Sequence, residues 1–202
     1  MKEMGISGTR GLTLIEMLVA ITVAAIVIMF ALPSLVSAFD DTAMSAVNNQ
    51  FASSIYFARN EALSRRSTVR LCKSPAPSET PIPHCGASSG TDSSGYENGW
   101  VVYLDSEPYD FQPNSSDEIL QVVIPDKRAG LTIHGNTNVA SQIAFSPMGN
   151  TIGTPSGLGN GTLVLCDSRG WSDAGRHARV VVLSRTGRIR TVPGDQSTAS
   201  SC

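Results

Sequence analysis

The 202-residue sequence has few of the groups that chemistry usually needs. Its three histidines, His84, His134 and His177, are scattered, and it contains no Cys-x-x-Cys pair. The nearest thing to a zinc set is Cys72, His84 and Cys85, in which His84 and Cys85 are adjacent and badly spaced for one ion. No glycine-rich loop leads into a helix in the manner of a phosphate cradle. Ser146 and Ser184 lack the strand-turn-helix setting of a nucleophile elbow. Asp105, Glu107 and Asp110 lie close in sequence but do not follow the spacing of a calcium-binding loop. The sequence therefore offers no catalytic residue, no metal site and no cofactor. A formal net charge of −2 names no partner, and no internal repeat is visible.

Charge is missing locally as well as globally. From Met17 to Phe39 there is no charged residue, and Leu, Ile, Val, Ala, Met and Phe dominate. About 20 apolar residues cross a bilayer as a helix. Glu16 stands just before this run, where a charge at bilayer depth costs roughly 2.5 to 3.5 kcal/mol. Either it reaches the headgroups from the helix start or it meets a positive partner. Ahead of it, Lys2 and Arg10 favour a cytoplasmic N-terminus. Ala31 and Ala38 imitate the small-residue cleavage site of a secretory signal, which would be cut after the apolar run.

The hexapeptide Gly11-Leu12-Thr13-Leu14-Ile15-Glu16 resembles the processing site of type IV pilins and type II secretion pseudopilins. The resemblance implies that a prepilin peptidase removes residues 1–11 as a leader, between Gly11 and Leu12, and that Leu12 is then methylated. It also implies that Glu16 serves assembly, by pairing with the free amino group of a neighbouring subunit. Leu12 replaces the usual Phe. Pro33 matches the proline that the family places within its apolar helix. The cut then precedes the helix, which stays on the mature protein as a membrane anchor and later as filament core.

Beyond Pro33 the pattern becomes amphipathic. Phe39, Ala43, Ala46, Val47, Phe51, Ile55 and Ala58 recur at spacings of three and four, and the pattern closes near Arg66. A helix from Leu12 to Arg66 would be roughly 80 Å long at about 1.5 Å per residue. Pro33 removes one of its hydrogen bonds and is expected to kink or locally melt it. Alternating or apolar runs then predict strands over 68–72, 100–105, 119–124, 131–134, 142–145, 161–166, 178–184 and 188–192. Pro, Ser and Gly between 73 and 99 mark a long loop. The fold class is α+β: a long N-terminal helix, transmembrane then amphipathic, packed on a C-terminal antiparallel β-sandwich-like head. The divisions are a leader at 1–11, a transmembrane and filament-core helix at 12–34, an amphipathic helix at 35–66 and a globular domain at 67–202.

Four cysteines allow three pairings. Adjacent pairing, Cys72 with Cys85 and Cys166 with Cys202, fits an exported domain best. The first pair staples the Pro/Ser loop and the second ties down the C-terminus, worth roughly 3 and 4 kcal/mol in the chain-entropy account.

Charge is also uneven. Asp92 to Glu118 holds seven acids and no Lys or Arg, whereas Asp167 to the end holds six arginines against three aspartates. A solvated face is one reading of the acids; separate surfaces are the other. Arg188 and Arg190 flank Ile189, so on a strand both guanidinium groups face one side. Arg185, Arg179 and Arg176 are candidates to extend that stripe, which could hold phosphates without reading sequence. No aromatic residue is interleaved for stacking on single strands.

Further segments narrow the resemblance. Ala58-Arg59-Asn60-Glu61-Ala62 followed by a strand, Asn98-Gly99-Trp100, and Leu165-Cys166-Asp167-Ser168-Arg169-Gly170 are similar to the GspH/FimT branch of minor pilins and pseudopilins. Gly187-Arg188-Ile189-Arg190 resembles the tail motif of FimT-type pilins, linked to DNA binding in natural transformation. It also resembles that of FimU-type pilus-priming subunits. Three functions follow: a structural or priming subunit of a type IV pilus tip complex, a receptor for double-stranded DNA, or a type II secretion pseudopilin. The implied partners are the prepilin peptidase, other minor and major pilins and the bacterial inner membrane, with the head in the periplasm.

Overall fold

The computed structural model describes residues 11–75, 83–86, 95–106, 111–126, 130–154, 157–167, 169 and 178–194, apart from the side chains of residues 32–34. Helix α1 (Leu14–Arg65) is 52 residues long. It continues through position 33, so Pro33 does not end it. Arg66 follows with φ of 54°, a left-handed residue that turns the chain out of the helix. Two compact units divide between Phe39 and Asp40.

In the first unit the helix surface is apolar all round, and every side chain described is exposed. In the second unit one stripe is buried: Met44, Val47, Asn48, Phe51, Ser54, Ile55, Ala58 and Ala62. These positions recur at three and four residues, as one helix face requires. The stripe differs in detail from the sequence reading. Phe39 and Ala46 are exposed, and Met44 and Asn48 take inward places.

Among the described residues nine strands follow, in two antiparallel sheets. The first has the order β3-β2-β1-β5-β6. Its strands are β1 (Val69–Lys73), β2 (Trp100–Leu104), β3 (Glu118–Val123), β5 (Gln142–Phe145) and β6 (Thr151–Ile152). The second has the order β4-β7-β8-β9. Its strands are β4 (Thr132–Gly135), β7 (Gly161–Cys166), β8 (Ala178–Leu183) and β9 (Ile189–Pro193). Eight of these match runs expected from the sequence. The ninth, β6, is two residues long and carries no periodicity.

A large apolar cluster joins the elements of the second unit. It takes Phe51 and Ile55 from α1, Leu71, Trp100 and Phe145 from the first sheet, and Ile133, Leu165 and Val181 from the second. The helix thus shares the interior with the inner faces of both sheets. Phe51 meets the Tyr96 and Trp100 rings edge-on, at 5.2 and 5.0 Å between centroids. The buried Tyr96 hydroxyl donates to Val139 O at 2.9 Å. With its phenol far from water, burial pushes the Tyr96 pKa well above the usual tyrosine value.

The outer face of the first sheet is covered too. Arg70 of β1 is ion-paired with Asp105, both inaccessible to solvent. Its guanidinium lies 4.4 Å from the centre of the Phe111 ring. Gln142 donates to Phe111 O at 2.6 Å. These contacts hold Phe111 against the outer face of the sheet.

Candidate functional site

The first candidate is the start of the helix. Gly11 and Leu12 precede α1, are exposed, and have no regular secondary structure. A Cβ placed on Gly11 would meet nothing within 4 Å. The rest of the expected leader, residues 1–10, lies outside the described residues. Thr13 caps the helix: its Oγ1 accepts from Glu16 N–H at 3.3 Å, while its carbonyl accepts from Met17 N–H at 3.2 Å. Thr13-x-x-Glu16 has the spacing of a capping box, a local signal that the Gly11-to-Glu16 hexapeptide overlies in the sequence. Glu16 therefore occupies the first turn, exposed, at the positive end of the helix dipole. Beyond it, exposed Leu18, Ile26, Val27 and Ile28 present apolar side chains around the whole circumference. By length and composition this helix can cross a membrane.

The cysteines form the second feature. Cys72 and Cys85 are joined, with Cα atoms 5.5 Å apart. The disulfide is buried beside Val101, Tyr103 and Ile119 on the outer face of the first sheet. It consumes both thiols of the Cys72, His84, Cys85 set considered for a metal. Cys166 is also disulfide-bonded; its expected partner, Cys202, lies outside the described residues.

The third feature is an arginine-bearing edge. β8 and β9 form a hairpin around the turn Ser184-Arg185-Thr186-Gly187. Gly187 has φ of 73°, in the region that glycine enters without strain. Arg188 O accepts from Ser184 N–H at 3.0 Å, and Arg188 N–H donates to Ser184 Oγ at 3.1 Å. Arg185, Arg188 and Arg190 are exposed while Ile189 between the last two is buried. Val182, Ser184, Arg188 and Arg190 line a surface hollow of about 280 Å³. The shared face expected for Arg188 and Arg190 is therefore present, with an apolar floor beneath it.

The other arginines do not join them. Arg179 pairs with Pro193 and has the same strand parity as Val181 and Leu183, the core-facing positions. Alternation puts it on the opposite face from Arg188 and Arg190, and its Nη1 donates to Ala178 O at 3.2 Å. Arg176 lies outside the described residues. Arg169 is occupied by two acids. It bonds Asp167 through two nitrogens and reaches Asp41 on α1 at 2.7 Å. The hydrogen bonds that Arg169 donates to Asp167, before all else, raise its pKa further. Asp167 and Arg169 thus form a clasp onto the helix and are not part of a basic surface.

The edge is seated by residues that sequence reasoning passed over. Thr151 of β6 donates its N–H to Arg185 O at 3.0 Å, and its Oγ1 lies 3.2 Å from the same oxygen. Tyr56 of α1 donates its hydroxyl to Ile189 O at 3.3 Å. Neither residue belongs to a motif; only the tertiary fold brings them to the hairpin. Among the described residues, no three His, Cys, Asp or Glu side chains gather to hold a metal ion.

Comparison with known proteins bears on both ends of the chain. Residues 6–32 match the profile described as the prokaryotic N-terminal methylation motif. Residues 48–187 match the family described as type II transport protein GspH. Among solved structures, the chain resembles two crystal forms of the type IV minor pilin FimU from Pseudomonas aeruginosa strain PAO1. One is 18% identical, covers 75% of this chain and 87% of the other, and has a TM-score of 0.49. The second is 18% identical, covers 75% and 91%, and has a TM-score of 0.47. No curated protein matches. The GspH profile covers well over half of the sequence, and together with the methylation motif at the head of α1 it establishes that this chain belongs to the GspH family of pilin-like proteins.

Proposed function

We propose that this protein is a minor pilin that acts as a structural or priming subunit in the tip complex of a type IV pilus. It would be cut between Gly11 and Leu12, methylated on Leu12, and held in the inner membrane by residues 12–34 with its head in the periplasm. The observation that carries this reading is the first unit of α1. Its side chains are apolar on all sides and exposed, with one acid, Glu16, in the first turn. Such a surface needs lipid first and other apolar helices afterwards. A charge placed there needs a cationic partner, which a neighbour's free amino group supplies. The buried Cys72–Cys85 disulfide supports a head on the oxidising side of the membrane.

Incorporation into filaments tests the proposal. Glu16→Ala should leave the subunit in the membrane fraction and remove it from sheared filaments. Equal incorporation of the variant would overturn the role given to Glu16. Cross-linking in cells that hold both systems separates a pilus from a type II secretion pseudopilus, by which neighbours are captured.

A second reading has its own observation. Arg185, Arg188 and Arg190 are exposed on one hairpin, and two of them line the hollow over Val182. Such an edge suits the phosphate backbone of double-stranded DNA, bound without base readout. The full chain in non-ionic detergent should then bind a short duplex with an affinity that falls with salt. The Arg188→Ala/Arg190→Ala variant should lose that binding, and an unchanged affinity would sink this reading.

A further inference from the structure

We infer that Arg59 of α1 is a positioning residue for the Arg188 and Arg190 surface. Its guanidinium bridges two turns from different sheets. Nε donates to Gly149 O at 2.9 Å, in the turn that joins β5 to β6. One terminal nitrogen donates to Thr186 O at 3.4 Å, in the turn that joins β8 to β9. The two turns touch directly beneath it. A Cβ on Gly187 would lie 2.1 Å from Gly149 O and 2.7 Å from Arg59 Nε, so no side chain fits there.

Arg59 does not act alone on the hairpin. Tyr56 lies three residues earlier in the helix, hence on the same face. It holds Ile189 O while Arg59 holds Thr186 O. The helix therefore grips the backbone on both sides of Arg188. Arg188 in turn is tied to Ser184 by its own N–H and carbonyl. With the backbone fixed at 186 and 189, the stem of Arg188 leaves the strand from a set point, and Arg190 follows by the pleat. A planar fork is suited to two carbonyls at once, whereas a lysine ammonium is a single point donor.

The consequence for binding rests on the DNA reading of this surface; the bridge itself does not. The test uses the full chain in non-ionic detergent with a short duplex DNA, titrated over a range of salt. Arg59→Ala should weaken binding by about five-fold, the effect of losing roughly one net hydrogen bond in a positioning role. The slope of log affinity against log salt should stay at the wild-type value, because Arg59 neutralises no phosphate. Any binding left to Arg188→Ala/Arg190→Ala at the lowest salt should show a slope flatter by about 0.9 for each phosphate that is no longer neutralised. Arg59→Lys should fall between wild type and Arg59→Ala, and it serves as the readable variant should Arg59→Ala fold poorly. Amide exchange at Thr186 to Ile189 should quicken in both Arg59 variants.

The outcomes separate cleanly. Wild-type affinity in the Arg59 variants, with binding abolished in the double variant, overturns the positioning role and leaves the surface reading intact. A flattened salt slope in Arg59→Ala makes Arg59 a direct phosphate ligand, which also overturns it. Wild-type binding by the double variant sinks the surface reading, and with it the consequence drawn for Arg59.

Discussion

One helix lives in two chemical regimes. From Leu14 to Phe39 its described apolar side chains are exposed and meet no core. From Asp40 to Arg65 the same backbone carries a stripe with Phe51, Ile55, Ala58 and Ala62 at zero exposure. Both stretches belong to one continuous α-helix. The difference lies in what the side chains ask of their surroundings. A stripe finds its partner within the chain and stabilises the head. An all-round apolar surface finds none there and must be covered by lipid or by other subunits. Burial inside one chain thus measures stability, while apolar exposure on the same helix measures what the chain joins.

Paired substitutions of the same type sharpen that contrast. Phe51→Ala should cost the head about 3 to 5 kcal/mol, from lost apolar burial and the cavity left between the Tyr96 and Trp100 rings. Phe30→Ala should leave the thermal melting of the full chain in detergent within about 0.5 kcal/mol of wild type. A matching loss in both variants would break the comparison, because Phe30 would then belong to a core. Filament incorporation should respond in the opposite order among variants that still fold.

The disulfide is the next largest effect. Cys72→Ser/Cys85→Ser should lower head stability by about 3 kcal/mol, read by denaturant melting, since the closed loop is short. The apolar part of α1 should be unaffected, as followed by retention of the chain in the membrane fraction.

Tyr96 gives a smaller, pH-dependent effect confined to the head. Burial raises its pKa above the ordinary tyrosine value of about 10. Below that value the folded and unfolded chains both hold the proton, and the phenol adds no pH dependence. Above it the unfolded chain ionises first, so stability declines as pH rises toward the folded value. Tyr96→Phe should cost about 1 kcal/mol at neutral pH by removing the bond to Val139 O. It should also make the alkaline decline shallower. An identical alkaline limb in wild type and variant would show that Tyr96 reaches water in the folded head.

How much of this is legible in the residues alone follows from the range of each interaction. The apolar run, the Gly11-to-Glu16 hexapeptide and the amphipathic stripe are local patterns. The structure has the helix within two residues of its expected start and one of its expected end. Eight strands are visible because β-branched and apolar runs lie between turn residues. β6 is not, being only Thr151–Ile152 and held in place by its partner β5. At the candidate basic edge, strand alternation places Arg188 and Arg190 together correctly. Alternation also removes Arg179, but only once the register of Arg179 with Pro193 is known. Arg169 looks like part of the positive tail until Asp41, 128 residues away, comes into hydrogen-bonding range.

The sequence by itself determined that an apolar helix begins within the Gly11-to-Glu16 motif, and that a strand-rich head comes after it. Those properties depend on neighbours three or four residues apart, or two on a strand, so they are written in the order of the residues. Only the tertiary structure decided that Arg70 would be buried against Asp105, that Arg169 would be consumed by a clasp, and that Arg188 would remain exposed. The three residues carry the same charge and the same side chain. Their fates differ because long-range packing determines which guanidinium groups meet a carboxylate and which are left to solvent.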